Sequence, residues 1–325
     1  MTSIEVLSPG PLTTIQDLGR PGWAHIGVPR SGAADRESLR LANRLVGNDE
    51  GAAALETTLT GPQLRFTGRA MVSLTGAQVN ARVGDRHVAM DAAVEIHAGE
   101  TLTVGNAKVG LRTYIAFAGG IEVPLVLGSA ATDTLSGLGP AALARGEILR
   151  LADYRKVRAS AAPAVAAARA VLAAAGPAVG TVLAVAVGAE GAVGAGHAEG
   201  PDTAHPSPPT PRLLHLILGP RDDWFTAAAI TRLTAEPFTV TPASNRVGLR
   251  LDGPALERAD TGELLSEGLV PGAIQVPADG QPILLLADHP TTGGYPVIAV
   301  VLDSDLPLAA QLRPGEQLRF ATISA

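Results

Sequence analysis

Residues 98–104 read AGETLTV, residues 145–151 read RGEILRL and residues 314–320 read PGEQLRF. Each sets Gly-Glu ahead of residues that alternate inward and outward, as a turn feeding one arm of a β-hairpin does. Three such arms, set among turns rich in Gly, Pro and Asp, predict barrels or sandwiches rather than an α/β sheet. The shared stretch is short, so it marks barrel construction and not duplication of a domain.

Two helices interrupt the strands. AADRESLRLANRLVG (33–47) puts Leu39, Ala42, Leu45 and Val46 on one face and stops at Gly47. DDWFTAAAITRL (222–233) opens on two aspartates, which favour a helix N-terminus, and carries Trp224, Ala228 and Ile230 on its apolar side. Residues 159–211 are Ala, Gly and Pro almost throughout and end in the linker-like HPSPPTP. The expected organisation is 1–158, an insertion or linker over 159–211, and 212–325. His197 and His205 fall in the linker, where a histidine reads as bland and where proteases are expected to cut.

With 325 residues, 46% hydrophobic and 17% charged, the chain is globular and long enough for about two domains. A net charge of −6 without a basic run argues against nucleic acid or an anionic membrane as partner. The absence of cysteine excludes disulfides, thiolate metal sites and a cysteine nucleophile, and fits a reducing cytoplasm. MTSIEVLSPG has neither the positive n-region nor the apolar h-region of a signal peptide. No apolar run approaches the roughly 18 residues of a membrane span, so a cytoplasmic location is expected. Lys108 and Lys156 are the only lysines. Neither sits in a P-loop context or carries the methionine flank of a biotin-attachment lysine. The seven histidines are scattered without H-E-x-x-H spacing, and no metal site is expected. Neither a G-x-S-x-G elbow nor a G-x-G-x-x-G opening a helix occurs.

Three segments gather polar residues beside turn glycines. TTIQDLGRPGWAHIGVPRSGAAD (13–35) holds Gln16, Asp17, Arg20, His25, Arg30, Ser31 and Asp35. A helix N-terminus with Arg20 or Arg30 beside it suits a carboxylate or phosphate; the same residues also fit two surface turns and an N-cap. TPASNRVGLRLDGP (241–254) places Arg246 in a turn ahead of a strand. IQVPADGQPILLLADHPTTGGYP (274–296) reads as a hairpin from which Asp288 emerges where the apolar strand ends. A carboxylate there is partly desolvated, and its pKa is expected to rise. Gly293-Gly294 permits close backbone approach, and Tyr295 adds a phenolic donor. Loop capping by Asp288 and the threonines is the alternative.

Together these segments resemble the biotin-dependent carboxyltransferase-like proteins, also called allophanate hydrolase subunit 2-like, a family that includes the C component of 5-oxoprolinase. The likeness runs through LANRLVGN, LETTLTGPQLRF, GPRDDWF, SNRVGLRLDGP, SEGLVPGAIQVPADGQPILLLAD, TTGGYP and DLPLAAQLRPGE, covering nearly all of 3–156 and 212–322. Departures are Ala33-Ala34-Asp35 for Ala-Met-Asp, Asn245-Arg246 for Asp-Arg, and Asp288-His289-Pro290-Thr291 for Asp-Arg-Gln-Thr. The resemblance implies a mainly β fold with a few helices, built as two cyclophilin-like β-barrel units. It implies one subunit of an ATP-dependent 5-oxoprolinase that acts on a small lactam or amide. Activity would need a homologous partner, like the B component of 5-oxoprolinase, and a third protein like its A component. ATP would be bound by the assembled complex. The alternatives are a carboxyltransferase component served by biotin on another chain, and a regulatory module binding a kinase-inhibitor-like partner. Opening a lactam suits a carboxylate base and anion-holding groups. The expected catalytic residues are Asp288 and Tyr295. Those expected to hold substrate or an anion are Gln16, Asp17, Arg20, Ser31, Asp35, Arg246, Gln275, Thr292, Gly293 and Gly294.

Overall fold

The computed structural model describes residues 2–152, 211–259 and 262–323. The linker expected over 159–211, with His197 and His205, lies outside them except for residue 211. The described chain is mainly β and forms two units with separate cores.

The three Gly-Glu arms adopt one local structure. Gly99, Gly146 and Gly315 have φ of 85°, 85° and 88°, and Glu100, Glu147 and Glu316 donate their N–H to His97, Ala144 and Arg313 O at 3.2, 3.2 and 3.0 Å. This is a four-residue turn that requires a left-handed third position, which glycine adopts without penalty. Each Glu side chain then accepts from the first residue of its turn: the N–H of His97, Ala144 and Arg313 at 2.6, 3.0 and 3.0 Å. The glycine and glutamate backbones bracket a residue of a neighbouring strand, Phe66, Val6 or Val240, with paired hydrogen bonds. Strands Thr101–Phe117, Ile148–Leu151 and Gln317–Thr322 follow directly.

The first two arms belong to a ten-stranded sheet, a half-barrel ordered Thr13–Gln16, Ala54–Thr58, Thr101–Phe117, Gln63–Phe66, Ser3–Ser8, Ile148–Leu151, Ile121–Glu122. The long strand Ala70–Val83 pairs with Thr101–Phe117 and with two short strands at its outer side. The third arm belongs to a closed barrel of seven strands, Arg212–Leu218, Val297–Val301, Ala273–Gln275, Ile283–Leu285, Gly248–Asp252, Phe238–Val240 and Gln317–Thr322. It closes through the parallel pairing of Arg212 with Leu318. Alternating buried residues from each unit fill its own core, around Phe66 and Phe117 in the first and Phe238 and Phe320 in the second.

Helix α1 is Arg36–Val46, shorter at its start than the pattern suggested. Asp35 is its N-cap, accepting from Ser38 N at 3.0 Å, and Ala33-Ala34 stay outside the helix because their N–H groups are held by Asp17 O and Glu56. Leu39, Ala42 and Val46 are buried as expected; Asn43 is buried in place of Leu45. The helix expected over 222–233 is two pieces. Asp222–Trp224 is a single 3-10 turn, Phe225 is extended, and α2 begins only at Ala227 and runs to Ala235, capped by Thr226. Ala229 and Leu233 are its buried residues, whereas Ala228 is exposed. A third helix, α3, spans Leu306–Ala310. Among the described residues no helix is long and apolar enough to cross a membrane.

The units are locked by Gln311 and Arg313, just after α3. Gln311 Oε1 accepts from Leu111 N and Arg112 N, both at 2.9 Å, and its Nε2 donates to Arg112 O at 3.0 Å. Arg313 donates to Gly110 O and Ala107 O at 2.5 and 2.7 Å. A Cβ at Gly110 would stand 2.9 Å from Gln311 Oε1, so glycine there lets one unit reach the backbone of the other.

Candidate functional site at the junction of the two units

Asp288 leaves the barrel strand Ile283–Leu285 and is completely buried at the junction. Its N–H is held by Arg246 O at 3.0 Å. Oδ1 accepts from Ser31 Oγ at 2.6 Å and Arg246 Nη2 at 3.0 Å; Oδ2 accepts from Arg246 Nε at 2.8 Å, Thr134 N at 3.0 Å and Thr134 Oγ1 at 2.7 Å. Ser31 reaches it because the chain folds back at Gly19 and Gly32. A Cβ on Gly19 would come within 2.5 Å of Arg30 O and one on Gly32 within 2.6 Å of Gly19 N. Ser31 itself has φ of 53°, an uncommon conformation held by this packing.

Arg246 continues the network. Its Nη1 donates to Glu56 Oε1 and its Nη2 to Gly32 O at 2.6 Å. Glu56 Oε2 accepts from Ala34 N at 3.0 Å and Tyr114 OH at 2.7 Å, and Arg112 Nε lies 3.5 Å from Oε1. Tyr114 OH in turn accepts from Asp35 N at 2.8 Å, and Gln311 Nε2 donates to Asp35 Oδ2 at 2.8 Å. One buried chain of charge-assisted hydrogen bonds thus runs across both units.

Burial alone would push the Asp288 carboxyl up. The Arg246 guanidinium and the Ser31 and Thr134 donors outweigh it and hold it below its ordinary value. This corrects the expected rise: the carboxylate is desolvated but more than compensated. Glu56 is likewise lowered, burial being overcome by Arg246 and Arg112, and Arg246 is raised by the two carboxylates despite burial. Burial raises Asp35, and it lowers His289, whose Nδ1 sits 2.7 Å from Pro290 O rather than on Asp288. An ionised carboxylate with five donors on it is a poor proton acceptor.

The other expected residues divide into two groups. Gln16 donates to Thr132 O at 2.9 Å, a carbonyl that also lies 3.2 Å from Ser31 Oγ. Asp17 binds Gly19 N, Ser129 Oγ and Ala130 N at 2.7, 2.6 and 2.7 Å. Arg20 is buried and donates to Val126 O at 3.3 Å and to Ala131 O, so it secures the 126–131 loop. The second group is on the barrel. Thr292–Gly293 pairs with Glu267–Gly268, and Gln275 Nε2 donates to Tyr295 O at 3.1 Å. A Cβ on Gly293 would stand 2.8 Å from that amide and 2.9 Å from Leu269, so its glycine serves packing. Thr292, Gly294 and Tyr295 are exposed.

Comparison with known proteins places this arrangement. The sequence model for "Carboxyltransferase domain, subdomain A and B" matches residues 26–322. The chain belongs to that carboxyltransferase-domain family. It is 34% identical to the C component of the Escherichia coli 5-oxoprolinase over 99% of this chain and 91% of that protein. It is 32% identical to the urea amidolyase of Saccharomyces cerevisiae over 99% of this chain but only 17% of that protein. The crystal structure of the K. lactis urea amidolyase superposes with a TM-score of 0.80 at 30% identity, over 99% of this chain and 19% of that one.

In this carboxyltransferase-domain chain Ala34, Asn245 and His289 directly adjoin Asp35, Arg246 and Asp288 of the network, and Ala34 N is part of it. Asn245 Oδ1 accepts from Val247 N at 2.8 Å and shapes the turn that carries Arg246. Glu56, Arg112, Tyr114, Thr134 and Gln311 complete the network and were not singled out in the sequence. The one signal for them was Glu56 inside the otherwise uncharged ALETT, a strand buried on both faces. Beside the network, between α1 and the segment 303–307, lies a cleft of about 280 Å³. Ala33-Ala34 and Leu286-Ala287 line it, the residues that immediately follow Gly32 and precede Asp288.

Proposed function

We propose that the chain is one subunit of an ATP-dependent complex that opens the lactam of 5-oxoproline to glutamate, working with partners like the B and A components of 5-oxoprolinase. Coverage carries this reading. The chain corresponds to nearly the whole of a separate protein named as the C component of 5-oxoprolinase, and to about a sixth of a urea amidolyase.

Opening the lactam breaks its C–N bond after water adds to a polarised carbonyl carbon, and the nitrogen leaves as an amine. Asp288 and Arg246 serve that chemistry as positioning residues. They fix the start of 286–296, so that Thr292, Gly294 and Tyr295 meet substrate or the partner protein, with Tyr295 as hydrogen-bond donor. Gln16, Asp17, Arg20 and Ser31 hold the facing loops, and Gln275 sets the Tyr295 backbone. ATP is assigned to the assembled complex, and no step on this chain runs through it.

The matched urea amidolyases favour one other reading, biotin-dependent carboxyl transfer. With Lys108 and Lys156 as the only lysines, biotin would have to arrive on a carrier. The two readings separate when the reconstituted complex is given 5-oxoproline or urea in parallel. Glutamate from 5-oxoproline without any carrier is expected. ATP consumption that needs urea and a biotinylated carrier would replace the oxoprolinase reading with the other.

A further inference from the structure

The cleft beside the network has a chemistry of its own. Its mouth carries Arg36, Arg40, Glu37 and Asp303, and its floor is formed by small apolar groups from both units. It opens at the N-terminal end of α1, which the Asp35 carboxylate already caps.

Arg36 is the least compensated charge around it. Its side chain is only 15% exposed, yet among the described residues its one ion pair is Nη1 to Asp303 Oδ1 at a long 3.5 Å, and Asp303 is 83% exposed. Arg30 and Arg40 lie close enough to disfavour its charge, and Arg40 is already engaged by Glu37 and Glu50. A largely buried guanidinium with two like charges near it and a loose partner gains from a carboxylate that presents two oxygens to its fork. A cleft of about 280 Å³ admits a small amino-acid-like molecule. Asp303, released from Arg36, would accept from an N–H on the same molecule.

We infer that this cleft binds a small α-carboxylate bearing an N–H group, with Arg36 gripping the carboxylate and the Ala33-Ala34 and Leu286-Ala287 floor covering the carbon skeleton. Both a lactam acid and a free amino acid have this chemistry. They correspond to the substrate and the product of the reaction proposed above, and on that reading the cleft is where one or both are held. The site stands on a different element from the exposed loop 292–295, and it discriminates against urea, which has no carboxylate.

The test is titration calorimetry on the full isolated chain with 5-oxoproline, L-glutamate and 2-pyrrolidinone, the last being the lactam without its carboxylate. Saturable binding of 5-oxoproline, of glutamate or of both is expected, and which one binds tells substrate from product. No binding of 2-pyrrolidinone is expected. Arg36→Gln should weaken the carboxylate at least about ten-fold, the order of one lost charge-assisted pair. Ser304→Trp, at an exposed rim position that leaves the core intact, should block binding. Arg65→Gln, remote on the sheet, should change nothing. Absence of binding by either carboxylate up to about 10 mM, a range that covers very weak ligands, would overturn the assignment. So would equal binding of 2-pyrrolidinone, or wild-type binding by both cleft variants. Because binding is read on the isolated chain, a chain that binds but whose complex forms no glutamate would leave the cleft standing and remove the oxoprolinase reading.

Discussion

Arg246 is shared by two buried carboxylates from different units, and removing it would leave Asp288 without its ion-pair partner and Glu56 with only the longer contact to Arg112. Breaking a buried pair from one side typically costs about 3–5 kcal/mol. Arg246→Met is therefore expected to lower stability by at least about that amount in urea unfolding, and Arg246→Lys, which keeps the charge but not the planar fork, by less. The pH dependence has a definite sign. Glu56 and Asp288 have folded pKa values below their ordinary ones, so the unfolded chain binds their protons first. Their contribution is complete above about pH 4.3, the ordinary range, and is lost as pH falls through the depressed folded values. Arg246→Met should flatten that acid slope. At this scale Asp288, Arg246 and Ser31 could be picked out because each lies in a polar segment beside turn glycines. Their ionisation state could not, since a carboxylate's pKa depends on the guanidinium that a distant segment brings to it.

The three Gly-Glu turns are the elements on which the fold was legible. Sequence alternation after the turn specified a strand, and Gly-Glu marked the turn, whose left-handed glycine the structure supplies. A Cβ at Gly99, Gly146 or Gly315 meets no atom within 4 Å, so glycine is required there by φ and not by space. Gly315→Ala is expected to cost about 1–2 kcal/mol, the penalty for a side chain in the left-handed region, with no further steric loss. A cost near zero in urea unfolding would contradict this. Helix starts were less legible. Two aspartates at 222–223 imitate an N-terminus, but Thr226 caps α2, and one early turn of 3-10 helix absorbs the aspartates. Asp35 presents the reverse case: an expected ligand residue that serves as the N-cap of α1 and as an anchor for Gln311. Asp35→Ala should cost about 0.5–2 kcal/mol for the cap alone, and more with the Gln311 bond lost.

Across the described residues, the cores of the two units are joined by polar contacts at Asp288, Arg246, Gln311 and Arg313 and by a small apolar cluster of Ala34, Ala287 and Ala310. The units should melt together in one calorimetric transition, and Arg246→Met should split it into two. Which polar segments would meet was not legible, because the meeting depends on how the closed barrel docks against the half-barrel, and no local pattern encodes that. Near that junction lies the Arg36-lined cleft, while Thr292, Gly294 and Tyr295 are exposed on the barrel. The most direct measurement is glutamate release from 5-oxoproline and ATP by this chain with its cognate partner proteins, omitting each chain in turn. Release that needs every component and disappears without this one is the expected result. Full release without this chain would contradict its assignment as a working part of that enzyme.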